Sequence, residues 1–162
     1  MQANRHPETI VSVNPVDARG SLIATLLLGI GLMAAVDEIV FHQILAWHHF
    51  FDRSTLAVAL LSDGLLHAAE LLTLAAGFYL FVRLSRGRAV SRRHAWAGLL
   101  IGAGGFQLFD GIVNHKLLRL HQVRYVEDLW LYDLAWNGVG AVVIAAGVLL
   151  WRRAQADTQQ GG

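Results

Sequence analysis

The sequence predicts an all-α protein, a four-helix transmembrane bundle made of two tandem helical hairpins related by a pseudo-twofold repeat. Three observations predict it. Of 162 residues, 55% are hydrophobic and only 15% charged, which is a membrane composition. The apolar residues fall in four runs, about 20–47, 55–83, 95–120 and 129–151, each long enough to cross a ~30 Å hydrocarbon layer at ~1.5 Å per residue. Residues 27–48 laid on residues 100–121, an offset of 73, coincide at nine of 22 positions.

The first run is too long for a signal-peptide core and has no small-residue cleavage site before its polar end, so it is expected to stay as a span. Residues 1–17 are expected to be a disordered cytoplasmic N-terminus. Residues 18–153 form the transmembrane domain, with repeat one at about 20–83 and repeat two at about 95–151. Residues 154–162 are expected to be a disordered C-terminal tail. Arginine is strongly sided: Arg83, Arg86, Arg88, Arg92 and Arg93 lie between the second and third runs, and Arg152 and Arg153 follow the fourth. The positive-inside rule then makes both termini cytoplasmic in a multi-pass membrane protein, and turns the other two connections outward. Trp96 and Trp151 fall at the inferred inner interface, Trp47 and Trp130 at the outer one.

A basic loop beside a span sets topology and meets lipid headgroups, so the expected partner is the bilayer and not nucleic acid. The sequence leaves open a homo-oligomer or a membrane-protein partner. With no Cys, disulfides and thiolate metal sites are excluded.

The repeated part is a polar frame, D-x-I-V-x-H-x-x-L-x-x-H, at Asp37, His42 and His48 and again at Asp110, His115 and His121. The second and fourth helices extend it with Asp63-x-x-x-His67 and Asp133-x-x-x-Asn137, at an offset of 70. Glycines and apolar identities recur easily between membrane helices, but three ionisable matches at fixed spacing do not. Each copy holds two spans, so both insert with one orientation about an axis along the membrane normal. The stretches "DEIVFHQILAWHH", "SDGLLHA" and "FQLFDGIVNHKLLRLHQVR" resemble an uncharacterised family of bacterial membrane proteins, domain of unknown function 2243, over roughly residues 20–150. That resemblance implies four helices and no activity. Its pattern has Gly after the first Asp, as at Asp110-Gly111, and Glu38 departs from it.

With Trp47 at the interface, His42 lies ~8 Å below it and Asp37 ~15 Å, and His115 and Asp110 match them by the repeat. A charge at the bilayer centre costs on the order of 3 kcal/mol, so these groups are expected to face the bundle interior. At ~100° per residue Asp63, His67 and Glu70 share one stripe, Asp37 and His48 a second, and Glu38, His42 and His49 a third.

The expected site is a divalent transition-metal centre. His42, His115, Asp63 and Asp133 meet near the pseudo-twofold axis, and His67, Asp37, Asp110 and Asn137 act as supporting partners or further ligands. Imidazole with carboxylate suits zinc, iron, manganese or cupric copper. Glu70 and Glu38 are the candidate proton-moving acids. The interfacial histidines His48, His49 and His121 are expected to be solvated. The function expected is metal handling or a metal-dependent reaction. The alternatives are a b-type haem protein, a proton relay, and a purely structural polar bundle. The glycines at 29, 31, 102, 104 and 105 are expected to pack helices one and three together, with Gly138 and Gly140 doing the same for helix four.

Overall fold

A computed structural model describes residues 15–160 of the chain, so most of the expected N-terminal tail lies outside the described residues. Asp17 accepts the Gly20 N–H at 2.7 Å and starts α1, Ala18–Val36. At Asp37 the same helix widens without a break into a π-helical segment, π1, Asp37–Ile44. Thr55 caps α2, Leu56–Arg86, which ends at Gly87. Next comes α3, Arg92–Phe109, which widens in turn into π2, Asp110–Leu117. The last helix, α4, covers Leu129–Gln160. Residues 154–160, expected as a disordered tail, therefore continue α4. The stretch Arg-Arg-Ala-Gln-Ala is a run of good helix formers, and an ion pair between Arg93 and Asp157 holds it against the start of α3.

Four helices are long and apolar enough to span a membrane, at 27, 31, 26 and 29 residues. Each is on the order of 40 Å long, which exceeds the hydrocarbon thickness. Large apolar side chains such as Leu32, Leu65, Leu72, Phe78 and Val142 point outward, whereas the buried set is mostly small or polar. This inversion is what lipid requires: the solvent is as apolar as the side chains, so only small and polar groups gain from the interior.

The helices lie side by side in the order α2, α1, α3, α4, with the α1–α3 contact the most extensive and no α2–α4 packing among the described residues. Glycine makes the central contact possible. A Cβ on Gly29 would overlap the Leu99 carbonyl, and one on Gly102 would overlap the Leu26 carbonyl, so the two backbones touch directly. Gly31 and Gly104 do not share that contact as expected. They receive Leu74 of α2 and Ile144 of α4, and thus attach the outer helices. Gly140 packs against Leu108 and Gln107, while Gly138 meets nothing within 4 Å.

Two ends result. At one, Asp17 N–H donates to the Ala89 carbonyl and Ser91 N–H to Ser21 Oγ, tying the start of α1 to the 87–91 connection. At the other, the loops 45–55 and 118–128 meet, with Asp52 N–H on the Leu120 carbonyl and Arg53 on the Arg119 carbonyl. The polar residues gather beneath this loop end.

Candidate metal centre

The two π segments explain how the polar frame folds. In a helix closed by i→i+5 hydrogen bonds, residues five apart stand one above the other. Asp37 and His42 thus share a face, as do Asp110 and His115. His42 Nε2 lies 3.8 Å from Asp37 Oδ2, and His115 Nε2 lies 2.9 Å from Asp110 Oδ2. Gln43 and Glu38, also five apart, hydrogen-bond at 2.7 Å. The expected α-helical wheel set Asp37 and His42 on different stripes. Widening of the helix at Asp37 removes that separation.

Each π segment ends in the same way. Ala46 and Arg119 adopt left-handed backbone, with φ of 47° and 50°. That conformation closes a helix C-terminus and reverses the chain. The reversal carries His48 and His121 back over the helix end, so both are buried, at 4% and 1% exposure. They are not the wet interfacial residues expected from their position. Four imidazoles consequently gather. The His42–His48 rings lie 4.5 Å apart at 71°, the His115–His121 rings 4.6 Å apart at 74°, and His48 stacks on His121 at 4.5 Å and 7°.

The proton positions follow from the partners. His48 Nδ1–H donates to the Val123 carbonyl at 2.9 Å, and His121 Nδ1–H to the Phe50 carbonyl at 2.8 Å. A carbonyl only accepts, so each Nδ1 must carry the proton and each Nε2 presents its lone pair. His42 Nδ1 faces two carboxylate oxygens, Glu38 Oε2 at 2.8 Å and Asp63 Oδ1 at 3.2 Å, so this Nδ1 carries a proton too. His42 Nε2 and His48 Nε2 are buried and have no hydrogen-bond partner among the described residues. His115 Nε2 lies 2.9 Å from His121 Nε2. Burial, reinforced by the neighbouring imidazoles, pushes His48 down to about 2, and burial pushes His121 down to about 4, so both are neutral at physiological pH. Neutral imidazoles with Nδ1–H held by an acceptor are oriented as metal ligands are.

Three groups of side chains converge closely enough that each could hold a metal ion: His42, His48 and His121; Asp110, His115 and His121; and Glu38, His42 and Asp63. Of the expected residues, His42, His115, Asp37 and Asp110 meet at this cluster, while Asp63 joins it from α2. Asp63 also accepts His49 at 2.6 Å and the Phe50 N–H at 2.7 Å.

Asp133 does not reach the cluster. Lys116, which stands where repeat one has Gln43, takes its carboxylate at 2.5 Å. His67 also stays away: its ring is 48% exposed on α2 and pairs with Glu70 at 2.6 Å. Asn137 donates back to the Asp133 carbonyl and packs where a Cβ on Gly111 would sit. His49 is part-exposed, at 27%. Trp47 packs against Phe41 and Tyr132, with the Arg124 guanidinium 4.7 Å above its ring.

A groove of about 480 Å³ opens at the loop end, lined by Asp52, Arg53, Arg119, His121, Gln122 and Tyr125, and the His121 side chain beneath it is fully buried. A haem does not fit. Two axial imidazoles hold their nitrogens about 4 Å apart across the iron and require a porphyrin-wide gap, whereas these four rings lie against one another. No curated protein and no solved structure matches this chain. Residues 24–154 match the family model described as "Predicted membrane protein (DUF2243)", and the chain belongs to that family.

Proposed function

We propose that this protein is a membrane metalloprotein whose four histidines, with Asp110 and Asp37 beside them, bind a divalent transition metal as a resident centre beneath the loop end. One observation carries this. Three of the imidazoles have Nδ1 occupied by a carbonyl or carboxylate, and the same three, His42, His48 and His121, each bring a ring nitrogen within 4.8 Å of the others in a buried space. A polar core that only joined helices would spend both nitrogens on partners, yet His42 Nε2 and His48 Nε2 have none among the described residues. The donor set of imidazole and carboxylate favours zinc, iron, manganese or cupric copper over cuprous copper.

A resident centre fits better than a transport site. Below the cluster α1 and α3 touch backbone to backbone at Gly29 and Gly102, which closes the seam between the two helices that carry the cluster. The groove at the loop end is the side from which a small molecule would approach, and the buried His121 side chain would have to give way to admit it. By the positive-inside rule the loop end faces outward and both termini face the cytoplasm.

A second reading, a proton relay, has one observation in its favour: part-exposed His49, Asp63, His42 and Glu38 form an unbroken chain with steps of 2.6, 3.2 and 2.8 Å. The relay and the metal centre are compatible, since the relay passes through the ligand His42.

Elemental analysis of the detergent-purified chain tests the proposal. Bound metal in the wild type, lost in the His48→Ala/His121→Ala double variant, is expected. Equal metal content in the two proteins refutes it.

A further inference from the structure

The metal centre contains more ligands than one ion uses, and they divide along the sequence repeat. We propose that the cluster holds two metal ions, each carried by the Asp-x4-His-x5-His set of one hairpin: Asp110, His115 and His121 for one ion, Asp37, His42 and His48 for the other. This rests on the metal centre proposed above and specifies its nuclearity.

The second set is already arranged as one face of a coordination sphere. Ligands at ~2.0–2.1 Å from an ion stand about 2.9 Å apart when they subtend a right angle and about 3.4 Å at the tetrahedral angle. His115 Nε2 is 2.9 Å from Asp110 Oδ2 and 2.9 Å from His121 Nε2, and Asp110 Oδ1 is 3.7 Å from His121 Nε2. Two imidazoles and a carboxylate on one face leave the opposite positions open for substrate, the donor pattern of non-haem iron sites.

The first set is built from the same parts. Its π segment and left-handed turn recur at the offset of 73, and its two rings have the same spacing and tilt as those of the second set. The hydrogen bonds that fix the tautomers are also exchanged at that offset, His48 to Val123 and His121 to Phe50. Both of its Nε2 atoms are unpartnered, and Asp37, 2% exposed, stands 3.8 Å from one of them. The sets adjoin through the His48–His121 stack.

Charge points the same way. Asp37, Asp110, Glu38 and Asp63 are all buried within this one cluster, at 1–2% exposure, and a fifth buried carboxylate, Glu70, has its own partner in His67 at 2.6 Å. Two divalent ions balance four carboxylates. A single ion leaves two of them to be compensated by protons at membrane depth, where an unpaired charge is costly. The competing arrangement is one ion on His42, His48 and His121, with Asp110 and His115 merely adjacent.

Cobalt(II) serves as the probe. The full chain in detergent, cleared of metal with a chelator, is titrated with Co(II) by equilibrium dialysis. Two Co(II) per chain are expected, falling to one in His115→Gln and to one in His48→Gln. Asp110→Asn and Asp37→Asn, which preserve volume, should each weaken one of the two ions about tenfold or more while the other keeps its affinity; they decide the matter if a histidine variant fails to fold. One Co(II) in the wild type, whichever histidine variant removes it, overturns the two-ion arrangement and leaves the metal centre standing. No Co(II) in the wild type overturns both.

Discussion

Replacing Asp63 by alanine removes three hydrogen bonds from one buried carboxylate: those from His49 at 2.6 Å, from the Phe50 N–H at 2.7 Å and from His42 at 3.2 Å. Hydrogen bonds between membrane helices average ~0.6 kcal/mol and reach ~1.7 kcal/mol, so three place the loss at about 2 kcal/mol, with about 5 kcal/mol as the ceiling. The same change removes one of the two acids that hold the His42 Nδ1–H and leaves Glu38 at 2.8 Å, which should weaken metal binding about 10-fold, the lower end of the usual effect of losing a partner behind a ligand. Asp133 is the counterpart at the offset of 70, yet its carboxylate meets a 42% exposed Lys116. Asp133→Ala should therefore cost about 0–1 kcal/mol and leave metal affinity unchanged. Unfolding in mixed micelles measures the first quantity, and competition with a chromophoric chelator measures the second. Comparable losses in the two variants on both measurements would refute the assigned division between the hairpins.

Three other outcomes are expected. Gly102→Leu should prevent folding because any side chain there strikes the Leu26 carbonyl, whereas Gly138→Ala, with nothing within 4 Å, should be neutral or stabilising by up to ~1 kcal/mol, as thermal melts in detergent would record. The metal-free protein should lose stability as pH falls from 6.5 towards 4. His121 is held down to about 4 and His48 to about 2, so in that window the unfolded chain binds more protons, and melts at stepped pH should show a falling midpoint. A single Cys placed at Arg53 should react with an impermeant maleimide in intact cells while one at Ser85 should not; the opposite pattern would invert the orientation.

Hydropathy was enough to find the four helices because lipid imposes one rule on every span. Their ends were harder: α4 runs to Gln160 since helix propensity, and not apolarity, governs the chain beyond the membrane. At the site, Asp37, His42, Asp110 and His115 were recognisable as unusual ionisable groups at membrane depth. How they relate was not, because a 3.6-residue period was assumed where the helix is π, and no sequence rule marks that change. His48 and His121 were misjudged as wet for a related reason. Their position after the span suggested an interface, while the left-handed turns at Ala46 and Arg119, neither of them glycine, fold them back. A signal was present nonetheless: both belong to the repeated frame, which Gln122, standing opposite His49, does not preserve. Asp133 was overvalued because its neutralising partner, Lys116, comes from another helix and a different position in the frame.

The exchange of carbonyls between the two loops has a consequence for biosynthesis. His48 is oriented by Val123 and His121 by Phe50, so neither half of the polypeptide carries a finished ligand set. The N-terminal half enters the membrane first during translation, and at that stage the His48 imidazole has no carbonyl to fix its tautomer. For the metal centre proposed above, ion capture would be deferred until the last loop has been made and has docked. A nascent or truncated product would then leave the metal in solution, and loading would report that both halves have been assembled.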